Sequence, residues 1–220
     1  LKKIIEIGIS SKNHELCAEA YKEIGNCNFE QGKDSEAKKN YEESMDIYCT
    51  IQNKIGEIDC LLNIGLIEDR RGRRESAEAN LSRCLEKYEE IGDRTGVAVV
   101  HSNLADMKYV WGEFDKSMKD IQRANEIFED LDQNNPPDLE FYKDWATALN
   151  IEANLHRNNQ NWDAAIMCLD KALKLSNKID DKIGLSHIYN NFGRLYLESH
   201  HSEERELDKS EEYFRKYLSL

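Results

Sequence analysis

His200 and His201 stand beside Glu203, Glu204 and Glu206, the densest grouping of metal-ligand residue types in the sequence. Imidazole and carboxylate are ordinary zinc ligands, but neighbouring residues on a helix do not share a face. Five extra residues enter here, so the segment reads as an inserted surface loop, and neither a metal nor another cofactor is expected. Six cysteines (Cys17, Cys27, Cys49, Cys60, Cys84 and Cys168) lie singly inside helical patterns with no CxxC pair. They read as free, mostly buried thiols of a reducing cytoplasmic or nuclear compartment. A glycine-rich phosphate loop, HExxH and GxSxG are all absent from the sequence, and the carboxylates recur one helical turn from lysines, as surface ion pairs do. Trp111, Trp145 and Trp162 read as packing residues. The sequence carries no expectation of an enzyme.

Another chemistry is written at regular spacing. Asn63, Asn103 and Asn191 each stand two residues before a small residue (Gly65, Ala105 and Gly193). A carboxamide offers a donor and an acceptor together, so a row of them can pair with the backbone of an extended peptide whatever its side chains. The other reading is that these amides tie adjacent helices together.

The elements that would position them are helices. Two prolines and eleven glycines in 220 residues leave little room for turn-rich β structure, and 40% apolar residues recurring at helical spacing argue for a folded chain. Four columns recur in step. Small residues fall at Gly25, Gly65, Ala105, Ala153 and Gly193, and turn residues at Gly32, Gly72, Gly112, Gln160 and His200. A second small column holds Ala37, Ala77, Ser117, Ala165 and Ser210, and a large apolar column holds Tyr41, Leu81, Ile121, Leu169 and Phe214. The basic spacing is 40 residues. Each repeat reads as two helices. In the first, Leu16 to Glu30 forms one helix, Gly32 supplies the turn, and Asp34 and Ser35 open the next. Asn53-Lys54-Ile55-Gly56, Asp93-Arg94-Thr95-Gly96 and Asp181-Lys182-Ile183-Gly184 mark the connections between repeats. Eight extra residues around Asn134-Asn135-Pro136-Pro137 read as a longer loop before a helix starting near Asp138.

These columns, with Tyr21-x-x-Ile24-Gly25, Leu62-Asn63-Ile64-Gly65 and Tyr189-Asn190-Asn191-Phe192-Gly193, resemble the tetratricopeptide repeat over essentially the whole chain. The 40-residue period is similar to the longer-helix subgroup of LGN/Pins adaptors, Tonsoku-like proteins and bacterial peptide-sensing regulators. The resemblance implies an all-α, right-handed solenoid in one superhelical domain over 1–220. It would hold five helix pairs (11–52, 53–92, 93–134, 135–180 and 181–220) after a leading half-repeat over 1–10. Glu152 stands where the family has an apolar residue, and Gln160 and His200 replace the turn glycine, so a distortion is expected in the fourth repeat. The ends, which lack polar caps, suggest an excerpt of a longer array or covered ends.

In that family the first helix of each repeat lines the concave side. The resemblance therefore implies a partner-binding groove of Asn26, Asn63, Arg70, Asn103, Asp106, Tyr109, Asn150, Asn154, Arg157, Asn190, Asn191 and Arg194. Carboxylates such as Glu19, Glu23 and Asp59 dominate the first two repeats, while Arg157 and Arg194 stand among asparagines in the last two. The expected ligand is an extended basic or mixed-charge segment of a partner protein. A net charge of −13 argues against nucleic acid and anionic membranes. The main expectation is an adaptor. A regulatory peptide sensor acting on an attached effector domain, and a structural spacer or self-assembling array, remain open.

Overall fold

In the computed structural model, residues 2–134, 138–199 and 204–219 are described. They form eleven helices and, among the described residues, no strand. The backbone divides into two compact units, 1–93 and 94–220.

The first unit holds α1 (Lys2–Ser11), α2 (His14–Glu30), α3 (Asp34–Thr50), α4 (Lys54–Arg70) and α5 (Arg74–Ile91), each packed on its neighbours in sequence. The second holds α6 (Arg94–Val110), α7 (Phe114–Asn134), α8 (Leu139–Asn158), α9 (Trp162–Lys178), α10 (Lys182–Ser199) and α11 (Glu204–Leu218). Here sequential packing is joined by direct contacts of α6 with α8 and of α8 with α10. The first helices of these three repeats therefore lie side by side, and this unit is a stack of helix pairs.

The sequence columns correspond to specific contacts. A Cβ added at Gly25 would lie 2.6 Å from Tyr41, and one at Gly193 would lie 2.7 Å from Phe214. The small column thus admits the large apolar column of the facing helix. The second small column does more than leave room. Where it holds serine, the hydroxyl crosses to the first small column: Ser117 Oγ donates to Ala105 O at 2.6 Å and Ser210 Oγ to Gly193 O at 2.8 Å. Both serines are buried, so their hydroxyls need those carbonyls.

Gln160 overturns the expected distortion. It takes φ 57°, in the same left-handed region as Gly32, Gly72 and Gly112. Its turn also repeats theirs: Gln160 N donates to Arg157 O and Asn161 N to His156 O, as Gly32 N does to Phe29 O and Lys33 N to Asn28 O. The ladder bonds fix the turn, and glutamine bears the strain that glycine avoids. Gln160→Gly is expected to raise stability by about 1 kcal/mol, read from the denaturant midpoint at unchanged slope. An unchanged or lower midpoint would contradict that origin of the strain. The same conformation appears at Lys12, Gln52 and Asp180, immediately before Asn13, Asn53 and Asp181. Asn53 then caps α4, its side chain accepting from Gly56 N at 3.0 Å.

Two other expectations need correction. The insertion near 134 enters the helices more than a loop: α7 has 21 residues and α8 has 20, against 17 in each of α2, α3 and α4. Asp138 does cap α8, accepting from Phe141 N, and Tyr142 of α8 donates to Asp132 of the lengthened α7. Asp34 opens α3 as expected. It lies inside the first turn, behind Lys33, and pairs with Arg70 and Arg71. All six cysteines are free, but only Cys17, Cys60 and Cys84 are buried, and Cys27 and Cys49 are exposed. His200 and His201 lie outside the described residues.

Candidate functional site

In the first unit, the face of α2 and α4 is acidic but internally engaged. Tyr48 OH donates to Glu19 at 2.6 Å, and Tyr88 OH donates to Asp59 at 2.6 Å. Lys22 sits 3.2 Å from Glu19 and 4.0 Å from Asp59. Burial pushes the Asp59 carboxyl up, while the Tyr88 hydroxyl and Lys22 pull it back. Asn26 accepts from Tyr41 OH at 2.8 Å and donates to Glu23 at 3.1 Å. Arg70 stacks its guanidinium 3.7 Å from the Phe29 ring centre and donates to Phe29 O at 2.9 Å. Both groups thus have structural partners here.

The asparagine column is not uniform. The half-buried Asn63 and Asn103 each donate an amide N–H back into their own helix, to Asp59 O at 3.0 Å and Val99 O at 2.9 Å. The remaining amide oxygen and second N–H of each lie on a half-buried surface. Asn191 is 8% exposed and donates to Asn150 Oδ1 at 2.8 Å, which ties α10 to α8. One equivalent position therefore carries two environments. Sequence spacing places the residue on its helix but does not say how closely the next helix approaches.

In the second unit, α6, α8 and α10 bring the remaining residues to one set of neighbouring helices. Asp106 is exposed, and Tyr109 is half-buried with its ring edge against Phe114 at 5.6 Å. Asn154 and Asn190 are half-buried, and Arg194 is exposed with Nε 3.9 Å from Glu198.

Arg157 differs from all of these. It is 7% exposed, near the C-terminus of α8, with Nε 3.5 Å from Glu198 of α10. Its Nη1 is buried and has no hydrogen-bond partner among the described residues. Arg157 lines a recess of about 500 Å³ together with Asn158, Gln160, Trp162, Glu198 and Ser199. The recess combines an aromatic wall, carboxamides and a guanidinium with a spare donor, a set suited to a carboxylate. Of these, Trp162 and Gln160 carried no binding expectation in the sequence, because both stand at a turn and read as packing and punctuation.

The comparisons bear on the fold. Residues 146–220 match the family model described as tetratricopeptide repeat. No curated protein matches the chain. Among solved structures, BtubC (BKLC) from P. vanneervenii superimposes with a TM-score of 0.73 at 17% identity, over 99% of this chain and 87% of that one. The Rap conjugation gene regulator of the plasmid pLS20, in complex with the Phr* peptide, gives 0.71 at 14% identity and 97% coverage; this chain spans 61% of it. The nearly identical TPR-like repeats of a putative kinesin light chain from Podosopora anserina give 0.62 at 12% identity, covering 91% and 94% of the two chains. These likenesses show a helical-repeat fold. Among the described residues, no helix is long and apolar enough to cross a membrane.

Proposed function

We propose that this chain, a tetratricopeptide-repeat protein by its fold and by the family match across residues 146–220, captures an extended, carboxylate-bearing segment of a partner protein on the face formed by α6, α8 and α10. The observation that carries this reading is the buried, unpaired Nη1 of Arg157 beside an open recess. Leaving a buried donor unmade costs about 1–3 kcal/mol, more when it is charged, and a carboxylate entering the recess gains that bond once the Arg157 guanidinium turns Nη1 toward it. Asn154 and Asn190 on the same helices supply amides for the segment's backbone, and Arg194 supplies a second, exposed cation.

The test is a selection of random peptides displayed on phage against the purified chain. Binders should be rich in Asp, Glu or a free C-terminal carboxylate. Arg157→Met should weaken them by about tenfold or more while leaving the free chain as stable or slightly more so, because methionine keeps the apolar stem and removes a partly paired buried charge. Failure to enrich any peptide, or binders indifferent to Arg157→Met, would remove the proposal. A second reading is a sensing module that passes peptide binding to an effector region. It is favoured by the likeness to a peptide-bound regulator of which this chain spans 61%.

A further inference from the structure

Three side chains with metal-ligand chemistry meet on the other side of α8, against α9. Glu152 and His156 stand one turn apart, so they share a helix face. Cys168 of α9 completes the group, with Sγ 3.6 Å from Glu152 Oε2, while His156 Nε2 lies 3.8 Å from Glu152 Oε1. The three ligand atoms all fall within 4.8 Å of one another, and all three residues are half-buried. A tetrahedral zinc ion holds such ligands at about 2.0–2.3 Å, which sets them about 3.3–3.8 Å apart from each other. Cys168 and His156 each already lie at about that distance from the Glu152 carboxylate, though from different oxygens of it, and modest side-chain rotation brings the three onto one ion.

A separate observation points to the same place. Asn125 of α7 is 7% exposed and donates Nδ2 to Glu152 Oε2 at 2.8 Å. Its Oδ1 is also buried and has no hydrogen-bond partner among the described residues. A buried amide oxygen without a donor is uncommon, and here it belongs to the residue that orients the Glu152 carboxylate. Glu152 is also the residue that departs from the apolar pattern of the repeat.

We propose that Glu152, His156 and Cys168 form a binding site for zinc or a similar thiol-preferring divalent cation, with Asn125 positioning Glu152 and offering Oδ1 to the ion or to water bound on it. Mixed sulfur, nitrogen and oxygen ligands suit zinc, and three protein ligands leave a fourth position open. In the metal-free chain the thiol is protonated, since burial and the Glu152 carboxylate push Cys168 up to about 12. Loading breaks the S–H bond, forms a sulfur–metal bond and releases the proton to solvent, with no change of oxidation state.

The purified chain is titrated with Co²⁺ as a spectroscopic probe and then with Zn²⁺. The expected result is a thiolate-to-cobalt charge-transfer band saturating at one ion per chain and displaced by Zn²⁺. Cys168→Ser should abolish the band. Glu152→Gln, which keeps the shape and the hydrogen-bonding reach of the side chain, should weaken Zn²⁺ by about 100-fold, the upper range of what even outer ligand-shell changes cost. The double variants Cys27→Ser/Cys49→Ser and His200→Ala/His201→Ala should leave the site intact, with circular dichroism confirming that every variant is folded. Absence of the band, its survival in Cys168→Ser, or full affinity in Glu152→Gln would overturn the proposal. The three groups would then be a hydrogen-bonded packing cluster only.

Discussion

Phe128→Ala is expected to destabilise the unit 94–220 by about 3–5 kcal/mol, the range for removing a fully buried phenylalanine from a core. Phe128 is 0% exposed. Its ring meets Phe141 edge-on at 5.2 Å and stacks on Trp145 at 6.3 Å, so one side chain of α7 engages two of α8. Lys171 of α9 lies over the other member of that group, 4.3 Å from the Trp145 ring centre. Truncation removes the transfer free energy of the ring and leaves a cavity that three packed helices cannot easily close. Urea unfolding of the purified variant measures the effect. A loss below about 1 kcal/mol would mean that Phe128 is not the packing centre described here.

The second large effect comes from adding a single methyl group. Gly25→Ala is expected to cost about 2–3 kcal/mol, although alanine is the better helix former by about 1 kcal/mol. The new Cβ would stand 2.6 and 2.8 Å from two ring carbons of Tyr41. That ring cannot easily withdraw: Tyr41 is 1% exposed and its hydroxyl is held by Asn26. Gly65→Ala is the control, because its Cβ would meet Asn80 Cβ at 3.3 Å and Leu81 at 3.5 Å. The two glycines occupy one column and are indistinguishable by spacing. Gly65→Ala should lie within about 1 kcal/mol of the parent, since slight relaxation offsets the gain in propensity. Equal effects of the two substitutions in thermal unfolding would refute the ring-contact explanation.

This contrast shows where sequence reasoning reaches and where it ends. Column periodicity identifies which face of a helix is buried, and so the helix pairs and the turn at Gly32 were legible, while the Asn134-Asn135-Pro136-Pro137 break marked the start of α8 near Asp138. A hydrogen bond 29 residues long was also open to such reading. Tyr48 pairs with Glu19 and Tyr88 with Asp59, and at the next step Phe128 and Val99 can make no such bond. The left-handed turns at Gln52 and Asp180 were not legible, because glutamine carries no signal for positive φ and a single aspartate only a weak one. Backbone bonds from Asn53 N to Tyr48 O and from Asp181 N to Ser176 O hold them instead.

The candidate site was legible only as a set of helices. Asn63, Asn103 and Asn191 share a position, yet one amide is consumed between α8 and α10 while the others bond within their own helices. Arg157 read as a groove cation like Arg194, and its burial depends on how closely α10 passes. Glu152 was visible as an anomaly. The cysteine and histidine that give it chemical meaning come together only when α9 packs on α8.

The most direct test of the central claim is photo-cross-linking with a selected peptide. A benzophenone amino acid is placed in separate variants at Asn154 of α8, at Asn190 of α10, and at the exposed Lys174 of α9. Peptide-dependent cross-links from Asn154 and Asn190, with none from Lys174, are the predicted result. Cross-links from Lys174 and none from the other two would place the partner on the second helices and contradict the account.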